Sequence, residues 1–189
     1  MPTHLAKLIV YACPVGLLAQ QIETYLAKTQ ALYGANAAHA YMPHCTLTGF
    51  FEDERSTIPS YVELLGSVFE EYCDRIPHPP IQIRQLTFNP DWHGLALEAD
   101  WLKQLVADFA GRSHSSTRKE SLRLKDWLHL SLAYEFNPDY ASDLCRLAKE
   151  IIDTTSQVRW ELRFYEQLLD HEPRPLPETS WRCHGSWVL

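Results

Sequence analysis

One pattern of histidine, hydroxyl residue and leucine occurs twice in this 189-residue chain, as His44-Cys45-Thr46-Leu47 and as His129-Leu130-Ser131-Leu132. Alternate side chains of a β-strand point to the same side of the sheet. The first and third residues of each stretch therefore share one face, and the second and fourth share the other. Each stretch predicts a strand that carries an imidazole and a hydroxyl side by side, backed by apolar residues.

The two stretches occupy equivalent places in an apparent duplication of the chain. Each half predicts the order strand, helix, strand, helix, strand, and a last strand follows near 181–188. The predicted strands are 5–12, 44–51, 81–88, 94–98, 128–134 and 158–168. The predicted helices are 17–32 and 60–72, and two further helices begin at 100 and at 137. We interpret residues 1–189 as a single bilobal domain, with lobe-forming repeats at about 4–90 and 92–170 and a C-terminal strand at 180–189.

Two such strands that meet across a pseudo-twofold axis would bring two imidazoles and two hydroxyls into one pocket. An imidazole near neutral pKa serves as base at one end of an in-line displacement and as acid at the other. The hydroxyls donate hydrogen bonds to phosphate oxygens as charge develops there. This set of groups suits phosphodiester chemistry, and neither proton transfer requires a metal or a covalent intermediate.

A histidine beside a hydroxyl on a strand has a simpler interpretation as a hydrogen-bonded structural residue. That interpretation is the more common one for a single motif. It is weakened by the second motif, which stands at the matching position of the second half and is again followed by leucine.

The paired His-x-[Thr/Ser]-Leu motif in a duplicated chain of this size resembles the two-histidine (2H) phosphoesterase superfamily. That superfamily includes 2′–5′ RNA ligase-like proteins, RNA end-processing enzymes and cyclic nucleotide phosphodiesterases. The resemblance implies an α+β fold with two pseudosymmetric lobes of antiparallel sheet, outer helices and a central cleft. It also implies that His44 and His129 are catalytic, that Thr46 and Ser131 bind phosphate, and that no metal or other cofactor is needed.

The cyclic phosphodiesterase branch of the superfamily is the most similar. Its first strand tends to end in an aromatic residue followed closely by proline, as in Tyr11-Ala12-Cys13-Pro14, although tryptophan is more usual than tyrosine there. Its second motif tends to continue to a tyrosine, which is Tyr134 in this chain. By resemblance, Tyr11 and Tyr134 flank the pocket and offer aromatic faces for stacking. Phe50 is in phase with His44 and is a further candidate for lining the cleft.

Composition and charge limit the classes of partner that the chain is suited to bind. The chain has 17 Lys and Arg against 24 Asp and Glu, a net charge of −7 with neutral histidines, which suits long nucleic acid poorly. No apolar run approaches the roughly 20 residues that span a bilayer, and no secretion signal opens the chain. Five cysteines form an odd set without C-x-x-C, which is typical of reduced thiols. We expect a cytoplasmic monomer that has no membrane partner.

One basic stretch stands out from this acidic background. It ends just before the second motif, where its positive charge could steer a phosphorylated substrate at the mouth of the pocket. A solvated surface loop is the alternative. Its cationic residues are Arg112, Arg118, Lys119, Arg123 and Lys125.

The sequence thus predicts an enzyme that hydrolyses a small cyclic phosphate, either a nucleoside 2′,3′-cyclic phosphate or ADP-ribose 1″,2″-cyclic phosphate. Two alternatives remain. The same residues could process short RNA ends or perform 2′–5′ ligation, or the chain could be a nucleotide-binding module without turnover. The pseudosymmetry of the pocket leaves open which histidine is the acid and which is the base.

Overall fold

The computed structural model describes residues 5–75, 80–168 and 180–189. Within them the chain forms an α+β fold with eight strands and four helices, which confirms the predicted fold class. The strands are β1 (Leu5–Val15), β2 (Cys45–Thr46), β3 (Phe51–Glu54), β4 (Gln82–Phe88), β5 (Trp92–Glu98), β6 (His129–Tyr134), β7 (Arg159–Gln167) and β8 (Trp181–Val188). The helices are α1 (Leu17–Tyr33), α2 (Ile58–Arg75), α3 (Asp100–Arg112) and α4 (Ala141–Ile151). Residues 4 and 76–79 of the predicted repeat 4–90 lie outside the described residues.

The strands form one antiparallel sheet in the order β4-β5-β6-β2-β1-β7-β8, and β3 also pairs with β1. The last strand of each half lies beside the first strand of the other half, because β4 pairs with β5 and β7 pairs with β1. The helices follow the same exchange, since α1 packs on α4 and α2 packs on α3. The two halves of the sheet meet between β2 and β6, where Cys45 pairs with Leu130.

Strand β1 is buried on both faces, and this separates the core into two parts. Leu8, Val10 and Ala12 belong to the main core, which the helices cover. The alternate residues Ile9 and Tyr11 belong to a smaller aromatic cluster on the opposite face of the sheet. A continuous apolar run is typical of a strand covered on both sides. Ile9 and Tyr11 of the smaller cluster line the cleft that holds the candidate site.

The predicted strand 44–51 is divided into β2 and β3. The main-chain amides of Leu47 and Thr48 both donate to the carbonyl of Val10, at 3.0 and 3.4 Å, so one residue of β1 faces two residues of the partner. An extra residue of this kind bends a strand locally. Two helix starts also differ from the prediction. Helix α2 begins at Ile58 rather than at 60, and Asn137 caps a short 3₁₀ turn at 138–140 that precedes α4, which begins at Ala141.

In the described part of the chain, no helix has the length and apolar content needed to cross a bilayer.

Candidate active site

The two histidine motifs are brought together at the junction of β2 and β6. Because Cys45 pairs with Leu130 in antiparallel register, the next positions outward place His44 opposite Ser131 and Thr46 opposite His129. Directly opposed residues of antiparallel strands have Cβ atoms about 4.5–5.5 Å apart and share a face. Each imidazole therefore neighbours the hydroxyl of the other motif, while the side chains of Cys45 and Leu130 are buried in the main core.

This face opens into a cleft of about 820 Å³. All seven residues that the sequence analysis selected as site residues line it, so the structure brings the whole predicted set together. They are Tyr11, His44, Thr46, Phe50, His129, Ser131 and Tyr134.

Both imidazoles are oriented by the same main-chain contact. His44 Nδ1 lies 2.7 Å from the carbonyl oxygen of Met42, and His129 Nδ1 lies 3.2 Å from that of Trp127. A carbonyl only accepts, so Nδ1 carries the proton and donates in each ring. The other ring nitrogen, Nε2, is then the acceptor in each neutral imidazole. Each ring is thus held with the nitrogen that can exchange a proton turned away from the main chain.

His44 stands among tyrosines. Its ring centroid is 4.0 Å from that of Tyr11 and 5.4 Å from that of Tyr41. The pKa of His44 is lowered from 6.5 to about 4, mainly by burial and also by the nearby His129, while the hydrogen bond to Met42 opposes the shift. The free protein therefore holds His44 as a neutral imidazole at neutral pH.

His129 stands between two tryptophans. Trp127 stacks on it at a centroid distance of 4.2 Å, and Trp92 meets it edge-on at 5.3 Å with an interplanar angle of 87°. Burial is the main cause that lowers the pKa of His129, and the positive charge of Lys125 acts in the same direction. Trp127 itself is half exposed, at 49%. The two imidazoles thus share a tautomer but differ in their surroundings.

The two hydroxyls also differ. The indole Nε1 of Trp92 donates to Ser131 Oγ at 2.9 Å. Since that hydrogen bond uses a lone pair of Oγ, the hydroxyl proton of Ser131 stays available for donation into the cleft. The hydroxyl of Thr46 makes no hydrogen bond with the described residues. Both motifs therefore offer a donor to an anionic ligand.

Gly94 makes the contact between Trp92 and Ser131 possible. It pairs with Ser131 across β5 and β6. A Cβ at this position would lie 2.3 Å from the carbonyl oxygen of Leu130 and 2.4 Å from the ring of Trp92. Only a glycine leaves room both for the close strand and for the indole that crosses it.

The predicted aromatic residues have distinct places. Tyr11 is only 1% exposed and lies against the ring of His44, so the imidazole covers one of its faces. Tyr134 is hydrogen bonded to Tyr41, and burial raises its pKa to about 12. Phe50 stacks on Trp181 at 6.0 Å. Their roles toward a substrate stay predictions.

Sequence reasoning missed Tyr41 and Trp92 at the cleft and Trp127 against His129. A signal for Trp92 was present, because it stands two residues before Gly94 and continues the alternation of β5 beyond its predicted start. The other two lie outside the strands, in segments whose path no local pattern indicates. Trp127 stands two residues before His129, as Met42 stands two residues before His44.

The basic stretch divides between two places. Its end reaches the cleft, as predicted, since Arg123 and Lys125 line it. Arg112 instead forms a two-pronged ion pair with Glu71, and Arg118 donates to the hydroxyl of Tyr61.

In the described ranges, no three side chains of His, Cys, Asp or Glu come together as metal ligands would.

The comparisons with known proteins relate this chain to parts of much longer ones. It is 31% identical over 147 residues to ubiquitin-associated and SH3 domain-containing protein B of Mus musculus, a match that covers 76% of this chain and 23% of that protein. Ecdysteroid-phosphate phosphatase of Bombyx mori is 30% identical over 166 residues, 84% of this chain and 24% of its own length. The Drosophila melanogaster protein of the same name is 27% identical, with coverages of 84% and 26%.

The chain thus spans about a quarter of the length of the curated relatives it matches. No protein-family model matches the chain.

Proposed function

We propose that this protein is a metal-independent phosphodiesterase of the two-histidine type that hydrolyses a small cyclic phosphate. One observation carries the proposal. The pairing of Cys45 with Leu130 puts each imidazole beside the hydroxyl of the other motif at the floor of one cleft. Two proton-transfer groups and two hydrogen-bond donors are what the in-line hydrolysis of a phosphodiester requires.

The chemistry assigns opposite tasks to the two rings. One imidazole takes a proton from water at Nε2, and the water oxygen forms a bond to phosphorus. The bond from phosphorus to the departing sugar oxygen breaks, and the other imidazole gives that oxygen a proton. The second ring must therefore carry a proton on both nitrogens before the reaction. A bound phosphate favours this charged form, because an anion within about 4–6 Å raises the pKa of an imidazole.

The hydroxyls of Ser131 and Thr46 would bind the phosphate oxygens. Trp92 occupies a lone pair of Ser131 Oγ, so this hydroxyl is oriented before a substrate arrives. Oriented donors that need no rearrangement are the usual source of transition-state stabilisation. We therefore assign to the hydroxyl of Ser131 a hydrogen bond to the non-bridging oxygen on which charge develops.

Phosphoester hydrolysis as a broad class is also favoured by relatives that are named phosphatases. Those names describe whole proteins, of which the matched part is about a quarter. They therefore do not identify the ester that this chain hydrolyses, and the proposal for that ester rests on the residues of the cleft.

The test is a substrate panel analysed by phosphorus NMR in the presence of EDTA. It contains 2′,3′-cyclic mononucleotides, ADP-ribose 1″,2″-cyclic phosphate and a 2′–5′ dinucleotide. We expect ring opening of a cyclic phosphate to a single monoester regioisomer, at a rate that EDTA leaves unchanged. Cleavage of the dinucleotide alone, with binding that falls steeply as salt rises, would support RNA end processing instead. Capture of ligands without product would identify a binding module.

A further inference from the structure

The segment before the second motif is attached to the segment after the first one. The amide of Gly49 donates to the carbonyl of Arg123 at 2.6 Å, and the amide of Lys125 donates to that of Leu47 at 3.2 Å. Between them, Thr48 and Leu124 form an isolated antiparallel bridge. These contacts fix a short piece of basic backbone along the wall of the cleft.

The side chain of Arg123 lies over Gly49. Its Cβ and Nε lie 3.3 Å, and one terminal nitrogen 3.6 Å, from the place where a Cβ on Gly49 would stand. The side chain therefore lies across the glycine, and a larger residue would have to push it aside. The guanidinium is thereby placed at the cleft, where its fixed fork of N–H groups can engage an anion.

Arg123 and Lys125 are both free of ion pairs with the residues that the structure describes. In the described residues, Arg123 and Lys125 have no carboxylate within ion-pair distance, whereas Arg55, Arg112 and Arg163 each have one. Asp91 and Glu135 also line the cleft, and neither forms an ion pair with the two cations. In a chain of net charge −7, two unused cations at the cleft indicate an anionic partner.

Arg123 lies on Gly49, beyond the end of the strand that carries the first motif. Gly49 is three residues beyond Thr46, which sets an upper limit of about 10 Å on their separation, and the extra residue at Leu47 and Thr48 shortens it. An arginine side chain lying on Gly49 is thus suited to an anion roughly one sugar unit away from the reacting phosphorus. A lone cyclic phosphate would leave this part of the cleft empty.

We propose that Arg123 and Lys125 form a subsite for a second phosphate, so that the preferred substrate is a nucleotide carrying a phosphate besides the cyclic one. This inference rests on the proposed function for the place of the cyclic phosphate. The second phosphate adds affinity by charge-assisted hydrogen bonds, which an arginine makes through two parallel N–H groups. The same chemistry fits the terminal phosphate of a mononucleotide and the internal phosphate of a short RNA end.

Calorimetry tests the subsite independently of turnover. Adenosine 3′-phosphate and adenosine 3′,5′-bisphosphate are titrated into the protein, and we expect the bisphosphate to bind at least about tenfold more tightly, the size of one charge-assisted hydrogen bond. Arg123→Gln should remove most of this ratio, Lys125→Gln part of it, and Arg123→Lys should preserve some. Lys28→Gln, which removes a charge from an exposed position of α1, is the matched control and should leave the ratio unchanged.

Turnover provides the second arm. Adenosine 2′,3′-cyclic phosphate is compared with the same compound carrying a 5′-phosphate. Arg123→Gln should lower kcat/KM more for the compound with the 5′-phosphate than for the simpler one, so that the preference of the wild type disappears. A dinucleotide 3′-phosphate distinguishes a terminal from an internal second phosphate. Equal binding of the two adenosine phosphates by the wild type, or an equal loss in Lys28→Gln, overturns the subsite. If neither cyclic compound is hydrolysed, the proposed function is refuted, and the binding ratio still decides the subsite.

Discussion

Replacing Gly94 by alanine should displace the backbone beneath the candidate site while every proposed functional side chain is kept. The added methyl would stand 2.3 Å from the carbonyl oxygen of Leu130 and 2.4 Å from the ring of Trp92. Non-bonded carbon atoms prefer separations of about 3.5–4.0 Å, so the structure must give by about 1 Å. Leu130 lies between His129 and Ser131, so the displaced backbone is the one that carries the second motif.

Both stability and activity should respond to Gly94→Ala. Overpacking of this kind costs about 1–3 kcal/mol, which lowers Tm by roughly 2–12 °C in a protein of this size. A misplacement of about 1 Å near the reacting groups lowers turnover about 100-fold. The loss of activity should therefore exceed what the unfolded fraction explains at the assay temperature.

The assay combines thermal melting with steady-state hydrolysis of a cyclic phosphate. Gly111→Ala is the matched control, because a Cβ there meets nothing within 4 Å and the residue lies in α3. That control should be neutral or more stable by up to about 1 kcal/mol, with normal turnover. Native melting and native turnover of Gly94→Ala would refute the steric argument and the role given to the second strand.

Three further outcomes follow from the same geometry. Trp92→Phe keeps a ring but removes the donor to Ser131, and kcat should fall about 2–13-fold, the size of one ordinary hydrogen bond. Thr46→Val should lower kcat/KM for a cyclic phosphate more than it lowers Tm, because the hydroxyl has no partner in the described part of the fold. The unfolded chain protonates His44 near pH 6.5 and the folded protein only near pH 4, so the free energy of unfolding should decline as pH falls between these values. His44→Gln, measured by denaturant unfolding at pH 5 and 7, should reduce that decline by about 1–3 kcal/mol.

Local patterns were sufficient for most elements and for placing the candidate residues of each motif on one face of the sheet. Strand alternation placed His44 with Thr46 and His129 with Ser131, since side-chain direction in a strand depends on position alone. The exchange of β4 and β7 between the two halves was not predicted, because periodicity identifies strands but not their neighbours. The break after β2 depends on Val10, whose carbonyl accepts two amides from residues almost forty positions away.

The surroundings of the imidazoles were the least predictable part. Trp92 reaches Ser131 only because Gly94 has no side chain. A contact of this kind, in which an indole crosses between two strands, has no pattern in a single stretch of sequence. The docking of Arg123 on Gly49 is similar, since it joins two segments that three strands and two helices separate along the chain. The basic stretch was nonetheless correctly expected to reach the pocket at its end.

The most direct measurement of the central claim is the hydrolysis rate of a cyclic phosphate by His44→Ala, His129→Ala and the double variant, each checked for folding by melting. Two groups that serve one displacement act as a unit, so their effects do not add. Each single variant should lose at least about 100-fold in kcat, and the double variant should be little slower than the slower single one. Wild-type turnover by either folded single variant would contradict the claim that both imidazoles act on one phosphorus atom.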